Sequence, residues 1–358
     1  MSANDPKRTY ACLTRLARSV TMPWPALGAG MRRREFFGLV GGAAVMPLVS
    51  HAQQPERTRQ IGVIMPYARD NPESQARAAV FVQELQQLGW SVGRNLRIEY
   101  RWDTGDPNFN RKAATELVAL SPDVIVAAAT PAVAALQQAT QTLPIVFVQV
   151  SDPVTAGLVA SLAHPGGNIT GFTNFEYSIA VKWLELLKEI APDVSRVGLI
   201  RDPTVTSSIG QVGAIQSVAR SFGVELSPLG GQDAKDIEKT ITEFARGPKG
   251  GLITIAAPLA VNNRGLIISL AARHRLPATY PFRFFVADGG LISYGPDSIE
   301  PLRLAAGYVA RILKGEKPAD LPVQAPTKYQ LVVNRKTALS IGLTMPSALI
   351  ARADEVIE

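Results

Sequence analysis

Cysteine is almost absent from this 358-residue chain, because the single residue of this type is Cys12, close to the amino terminus. Beyond that position the sequence excludes disulfides, thiol nucleophiles and thiolate metal sites. Histidine is nearly as scarce. His164 and His274 are the two histidines beyond residue 52, and neither has a second ligand at i+3 or i+4. We therefore expect no metal and no cofactor.

Three loop motifs with well-defined chemistry are also missing. The sequence contains no G-x-x-x-x-G-K-[ST] phosphate loop and no G-x-G-x-x-G after its first apolar run. The glycines of PGGNITG (165–171) precede an extended segment, so they do not open a helix onto a phosphate. No G-x-S-x-G nucleophile elbow is present, which disfavours a secreted α/β hydrolase. A triad that uses one of the two histidines stays open.

The positive charge is concentrated at one end of the chain. The formal net charge is +7, and residues 1–52 hold seven of the 37 basic residues but only two of the 30 acidic ones. The remaining residues are almost neutral. Because binding to nucleic acid requires a basic face that neutralises phosphates, we expect no nucleic-acid partner.

The amino-terminal region has the layout of an export signal. In residues 31–52 three arginines precede an apolar run from Phe36 to Val49, and small residues end the segment at Ala52. The run is too short to cross a bilayer. We expect a signal peptide at 31–52, exported by the general secretory or twin-arginine route, and a protein that works in the periplasm. Residues 1–30 are interpreted as an extension upstream of the true start, Met31.

Apolar strand-like runs alternate with helical segments from residue 59 to about residue 281. Four such β-α units precede the segment SDPVTAGLVASLAHPGGNITGFTNF (151–175), and a similar set follows it. Within that segment we expect a helix over 154–163, a tight turn at 165–168 and a strand that crosses to a second domain. The alternation predicts an α/β fold of two doubly wound, Rossmann-like domains with parallel sheets.

The last seventy residues contain too few elements for a third domain. They are predicted to return to the first two domains and to complete them. The expected boundaries are 57–173 plus 288–320 for the N-terminal α/β domain, and 174–287 plus 321–358 for the C-terminal α/β domain. Chains that cross several times between two domains form a hinge that can close on a ligand.

Candidate binding residues lie where the predicted strands end, because open α/β sheets bind ligands beyond the carboxyl ends of their strands. Thr130 and Ser151 are candidates to hydrogen-bond a carboxylate, and Arg201 either pairs with one or forms a salt bridge with Asp202. The aromatic residues either stack on a flat ligand or pack in the core. The full candidate set is Tyr67, Thr130, Ser151, Asp152, Thr173, Asn174, Arg201, Ala257, Tyr280, Phe282 and Tyr294.

Several segments together resemble a known family. IVFVQVSDPVTAGLVASLAHPGGNITGFTNF, AARHRLPATYPFRFFVADGGLISYGPD and PTKYQLVVNRKTALSIGLTMP are similar, in this order, to the ABC-transporter substrate-binding proteins related to tryptophan/tyrosine uptake binders. The resemblance covers essentially all of residues 31–350. It implies a type I periplasmic-binding-protein fold, with two α/β domains joined by a three-stranded hinge.

The resemblance also implies a function. A member of this family would bind a small-molecule solute, deliver it to an ABC permease in the inner membrane with its ATPase, and catalyse nothing. We expect a monomer that closes on a small organic solute such as an amino acid or an aromatic carboxylate. Two alternatives stay open at this point: a periplasmic module that senses a ligand for a receptor, and a secreted α/β hydrolase.

Overall fold

The chain forms two β-sheets that are connected several times. A computed structural model describes residues 57–358 except 104, 105, 107, 204 and 232. The expected signal peptide, the upstream extension and Cys12 lie outside the described residues. The first sheet has five parallel strands in the order β2-β1-β3-β4-β5, and the second has seven strands in the order β12-β11-β10-β9-β8-β6-β7.

The first sheet carries helices on both faces. Its strands are buried apolar runs, and helices α1 and α10 pack on one face whereas α2 and α3 pack on the other. Because helices cover both faces of this sheet, the strand side chains on both faces are apolar. The elements are β1 (Arg59–Met65), α1 (Pro72–Gln87), β2 (Leu96–Trp102), α2 (Phe109–Ala119), β3 (Val124–Ala128), α3 (Thr130–Ala139), β4 (Ile145–Val150) and β5 (Ile169–Thr173), with α10 (Glu300–Leu313) added from the carboxyl-terminal part.

The second sheet repeats this architecture and then adds an antiparallel strand. Helix α4 packs against α5, and α6 packs against α8. The elements are α4 (Ile179–Ile190), β6 (Arg196–Ile200), α5 (Thr206–Ala219), β7 (Glu225–Leu229), α6 (Ala234–Phe244), β8 (Gly250–Thr254), α7 (Pro258–Asn262), α8 (Arg264–Arg273), β9 (Ala278–Tyr280), α9 (Arg283–Ala287), β10 (Ile292–Pro296), β11 (Tyr329–Asn334), α11 (Arg335–Ser340), α12 (Ser347–Arg352) and β12 (Glu355–Ile357).

Three segments of the chain pass between the two sheets. They are residues 174–178 after β5, 297–299 between β10 and α10, and 321–328 before β11. The third crossing runs beside the end of β5, because the backbone of Gln324 exchanges hydrogen bonds with Gly171 and Thr173 at 3.0 and 2.8 Å. These crossings form the three-stranded hinge that the sequence predicts.

One expected domain boundary differs from the sheet pairing. The sequence assigned residues 288–320 to the first domain, but β10 pairs in parallel with β9 and antiparallel with β11, both in the second sheet. The helix that follows, α10, and the helical turn Pro318–Asp320 pack against the first sheet. Leu302, Ala305, Ala306, Val309 and Leu313 of α10 are all buried.

One helical prediction was wrong. Residues 154–163 form a series of turns, because the amide of Gly157 bonds to Val154 and its φ of +69° ends the helical turn at once. In α1 the buried stripe consists of Ser74, Arg77, Phe81 and Leu85. A charged residue therefore lies on the inner side of α1.

Candidate functional site

The candidate site is built from the carboxyl ends of the parallel strands. In the first sheet these ends belong to β1, β3 and β4, and in the second sheet to β6, β8 and β9. Loops and helix starts follow each of them, which is where doubly wound sheets carry their ligands. Seven of the eleven candidate residues lie within two residues of such an end; Thr173 and Asn174 lie at the end of β5, Ala257 lies three residues after β8, and Tyr294 lies within β10.

A buried arginine lies at the edge of the first sheet. The Arg77 guanidinium is fully buried and stacks over the Tyr67 ring, with 4.7 Å between Cζ and the ring centroid. Its Nη1 donates a hydrogen bond of 2.7 Å to Oε1 of Gln149. Tyr67 also belongs to the apolar cluster of the second domain. The predicted residue Tyr67 therefore lies where the two domains meet, with a cation on its face.

A β-bulge places Gln149 at this position. The pairing of β4 with β5 shifts register between Val148 and Val150, so Gln149 is the extra residue, and its φ is +57°. Bulges turn a side chain out of its regular alternation. Ala129, with φ of +73°, and Asp152, with φ of +45°, have positive φ at the neighbouring strand ends. Such strained positions cluster at ligand sites.

Two of the predicted residues bond directly to each other. The Ser151 hydroxyl donates to Oδ1 of Asn174 at 2.9 Å, and both side chains are buried. Thr173 is also buried, and its backbone pairs with Gln324 in the hinge. Thr130 is half-buried and begins α3 directly after the end of β3. The structure thus groups Ser151, Thr173 and Asn174 where the first sheet passes into the hinge.

The edge of the second sheet carries polar side chains from α5. The Gln211 carboxamide accepts a hydrogen bond of 3.2 Å from the amide of Ala256, next to the buried Ala257. The Nε2 atom of Gln211 and the hydroxyl of Ser208 are buried and have no hydrogen-bond partner. Arg201 follows β6 and is half-buried, and no ion pair among the described residues includes it.

The aromatic candidates of the second domain are packed against other rings. Tyr280 stacks on Phe285 with centroids 5.1 Å apart, and Phe282 stacks on Phe284 at 5.4 Å. Burial raises the pKa of Tyr280, so its hydroxyl stays protonated at neutral pH. Phe282 also lies 6.2 Å from Phe175 of the first crossing segment. These rings build the wall of the second domain.

Tyr294 and Asp152 line a different space. They border an open cavity of about 710 Å³ beside the hinge, together with Thr173, and Tyr294 stacks there on Tyr329 at 5.7 Å. The cavity lies on the side of the hinge that faces the start of α4. The candidate residues therefore divide between the facing sheet edges and this hinge-side cavity.

Two polar contacts hold the start of α1, one from the second domain and one from the hinge. Arg264 of α8, which also pairs with Asp288, donates a hydrogen bond of 3.4 Å to Oδ1 of Asn71. Ser298, in the hinge crossing after β10, donates to Glu73 at the same distance. Asn71 is the N-cap of α1, since its side chain accepts from the Glu73 amide. The first turn of the helix that carries Arg77 is thus held by the second domain and by the hinge.

Four polar residues of this site were missed from the sequence: Ser74, Arg77, Ser208 and Gln211. Each has at least one buried side-chain atom without a hydrogen-bond partner. The spacing of Arg77, Phe81 and Leu85 at four-residue intervals was a usable signal, because it places the arginine on the apolar stripe of α1. Gln149 had no such signal, since a bulge is not visible in an apolar run.

Other kinds of site find no support in the part of the chain that the structure describes. It contains no group of three or more His, Cys, Asp or Glu side chains arranged to hold a metal ion. No helix within it is long and apolar enough to cross a membrane.

The fold and the site define a class of protein: two α/β domains, joined by three crossings, that face each other across polar strand ends. The chain belongs to the family of ABC transporter substrate-binding proteins, whose model matches residues 61–357. Proteins of this family bind a solute in the periplasm and pass it to the permease of an ABC importer. The solute-binding role and the fold expected from the sequence are confirmed.

Known relatives agree with this assignment. The tyrosine-binding protein of Clostridioides difficile (strain R20291) is 28% identical over 269 residues, which are 75% of this chain and 77% of the relative. A solved structure from Streptococcus pneumoniae, an ABC domain in complex with L-Trp, is 26% identical and has a TM-score of 0.76, covering 84% of this chain and all of that one. These neighbours place the fold among the type I periplasmic binding proteins.

A third comparison concerns the arrangement of the domains. The ligand-free, open structure of a substrate-binding protein with adhesive properties from Clostridium difficile is 25% identical and covers 84% of this chain and 99% of that one. Its TM-score is only 0.60. At almost equal identity and coverage, the chain is closer in shape to the L-Trp complex than to the open form.

Proposed function

We propose that the facing sheet edges close on one small organic solute, an amino acid or an aromatic carboxylate, and that the chain delivers it to its permease as a monomer without chemical change. Residues 31–52 direct export. Residues 57–173 with α10 form one lobe, and the second sheet with its helices forms the other. The solute lies between Tyr67, Thr130 and Ser151 on one side and Arg201, Ala257 and Tyr280 on the other.

The observation that carries this proposal is the set of buried polar atoms without partners on the two facing helices. Nε and Nη2 of Arg77 and the hydroxyl of Ser74 lie on α1, whereas the hydroxyl of Ser208 and Nε2 of Gln211 lie on α5. A buried polar atom without a partner costs about 1–3 kcal/mol. Four such side chains on the two helices are the lining that a polar ligand satisfies.

The shape comparison supports the same interpretation. Type I binding proteins close about a hinge when the ligand arrives. The TM-score is 0.76 against the L-Trp complex and 0.60 against the ligand-free, open structure, so the domains of this chain are arranged more like those of the complex. The tyrosine and tryptophan named for the two relatives favour a solute with a carboxylate and a flat apolar body.

A thermal-shift screen of the purified protein against amino acids, aromatic acids, sugars and polyamines tests the proposal. A ligand at a hundredfold excess over its Kd adds about 2.7 kcal/mol of stability. We expect one chemical class to raise the melting temperature and the bound compound to be recovered unchanged by mass spectrometry. Recovery of a chemically altered compound would instead indicate an enzyme. A response to sugars alone would overturn the proposed ligand class.

A further inference from the structure

No salt bridge among the described residues balances the charge of Arg77. The guanidinium is fully buried, and its partners are the neutral carboxamide of Gln149 and the ring of Tyr67. Burial of a charge without a counter-charge is strongly unfavourable, and arginine cannot lose its proton to avoid it. A buried guanidinium with these neutral partners is suited to bind an anion.

The unused atoms of Arg77 have a definite geometry. Nη1 donates to Gln149, whereas Nε and Nη2 have no partner. Nε–H and Nη2–H point along the same side of the planar group, which is the fork that binds the two oxygens of a carboxylate. The ring of Tyr67 covers one face of the guanidinium and the bulged Gln149 holds one end, so the fork is fixed in direction.

A second donor lies next to this fork. Ser74 is one helical turn before Arg77 on the same face of α1, and its buried hydroxyl has no hydrogen-bond partner. The contact of Asn71 with Arg264 of the second domain and that of Glu73 with Ser298 of the hinge hold this same turn. The fork and the hydroxyl are thus fixed together on one turn of α1.

We propose that Arg77 binds the anionic group of the solute through Nε and Nη2, and that this group is a carboxylate. This inference rests on the proposed function and makes it narrower. It assigns the carboxylate to Arg77 on the first domain, whereas the sequence had offered Arg201 on the second. Arg201 is half-buried, so solvent can balance its charge.

Pairs of probes that differ only in charge test the inference on the unaltered protein. Each acid (L-tryptophan, L-tyrosine, 4-hydroxyphenylacetate, 3-phenylpropionate and benzoate) is titrated beside its primary amide. We expect the preferred acid to bind at least about 100-fold more tightly than its amide, because the amide leaves the buried charge unpaired.

Variants then show which residue is responsible for the preference for acids over amides. Arg77→Met is expected to weaken binding of the preferred acid by about 100-fold or more, and Arg77→Lys by about tenfold, since lysine keeps the charge but loses the fork. Arg196→Met is the matched control. Arg196 also stacks on a ring, that of Phe244 at 4.6 Å, but it lies at the amino end of β6. Arg201→Met tests the alternative anchor. Circular dichroism melts verify that each variant is folded.

The outcomes separate the two proposals. If acids bind but their amides bind equally well, or Arg77→Met binds as the unaltered protein does, the role of Arg77 is overturned and the proposed function stands. If Arg201→Met loses the binding instead, the anchor is Arg201. If no acid of the series binds, the inference and the proposed ligand class fail together.

Discussion

The Ser151 hydroxyl donates a 2.9 Å hydrogen bond to the carboxamide oxygen of Asn174. Ser151 directly follows β4 and Asn174 directly follows β5, so the bond joins the carboxyl edge of the first sheet to the first hinge crossing. The same oxygen accepts a second bond, from the Phe175 amide at 3.0 Å. Both side chains are buried, and the edge of the sheet and the start of the hinge form one hydrogen-bonded unit.

Replacement of Ser151 tests whether this unit contributes to the site. Ser151→Ala removes a buried hydrogen bond and should lower the free energy of unfolding by about 1 kcal/mol. Because it also loosens Asn174 at the edge of the site, it should raise the Kd of the solute. Urea unfolding and calorimetric titration measure the two effects. Ser269→Ala, on the exposed side of α8, is the control and should change neither. An unchanged Kd would remove Ser151 from the site.

A glycine in the hinge strand should not tolerate any side chain. At Gly171 φ is +153°, and an added Cβ would lie 2.0 Å from the carbonyl oxygen of Phe147 on the adjacent β4. Gly171→Ala must therefore separate β4 from β5 and should lower the free energy of unfolding by more than about 2 kcal/mol. Thermal unfolding measures this loss.

A glycine of the turn before β5 provides a matched control for this substitution. A Cβ at Gly167, four residues earlier, would meet no heavy atom within 4 Å. Gly167→Ala should therefore leave the melting temperature within about 1 °C, since neither packing nor φ opposes it. Equal behaviour of the two variants would show that the close approach of β4 and β5 at Gly171 is not present in solution.

Tyr100 should make the protein sensitive to alkaline pH. Burial raises its pKa to about 12, and its hydroxyl has no hydrogen-bond partner. The folded protein holds this proton above pH 10 while the unfolded chain releases it, so stability is unaffected below pH 10. It falls between pH 10 and 12 by up to about 1.4 kcal/mol per pH unit.

Tyr100→Phe isolates this contribution. The substitution keeps the ring that stacks on Trp102 at 4.9 Å and removes only the unpartnered hydroxyl. Stability at pH 7 should be unchanged or slightly higher, and the fall in stability above pH 10 should be shallower than in the parent. Urea unfolding at pH 7, 10 and 11 measures both. An identical alkaline slope in the variant would place the titrating group elsewhere.

The contact between Arg264 and Asn71 should matter only when the domains are closed. It spans the two lobes at 3.4 Å, and Arg264 also pairs with Asp288 within its own lobe. Arg264→Gln should raise the Kd of the solute about two- to fivefold, while the melting temperature without ligand changes little. Arg303→Gln, which removes ion pairs within the first lobe, is the control. Equal effects of the two variants would exclude a closure contact.

The strands were predictable from the sequence because they are covered on both faces. β1, β3 and β4 are continuous apolar runs between turn residues, and only a buried parallel strand has that composition. Their order along the chain then fixes which ends share an edge. For that reason Tyr67, Thr130 and Ser151 were found at strand ends of one sheet without any knowledge of a ligand.

Other features depend on local geometry that hydropathy does not encode. Gly157 ends a helical turn after Val154, although the segment up to Ala163 is apolar enough for a helix. The bulge at Gln149 lies inside an apolar run, and β10 joins the second sheet through its ladder with β11, which is far along the chain. Arg77 was not among the candidates because arginine is rarely buried, so hydropathy assigns it to an exposed face of α1.

The central claim is that one solute binds between the two sheet edges and that its carboxylate meets Arg77. A crystal structure of the protein with the acid that binds most tightly tests it most directly. We predict one molecule between Tyr67 and the start of α5, with its carboxylate oxygens about 2.8 Å from Nε and Nη2 of Arg77. A ligand found instead in the cavity beside Tyr294 and Tyr329, with Arg77 unoccupied, would contradict it.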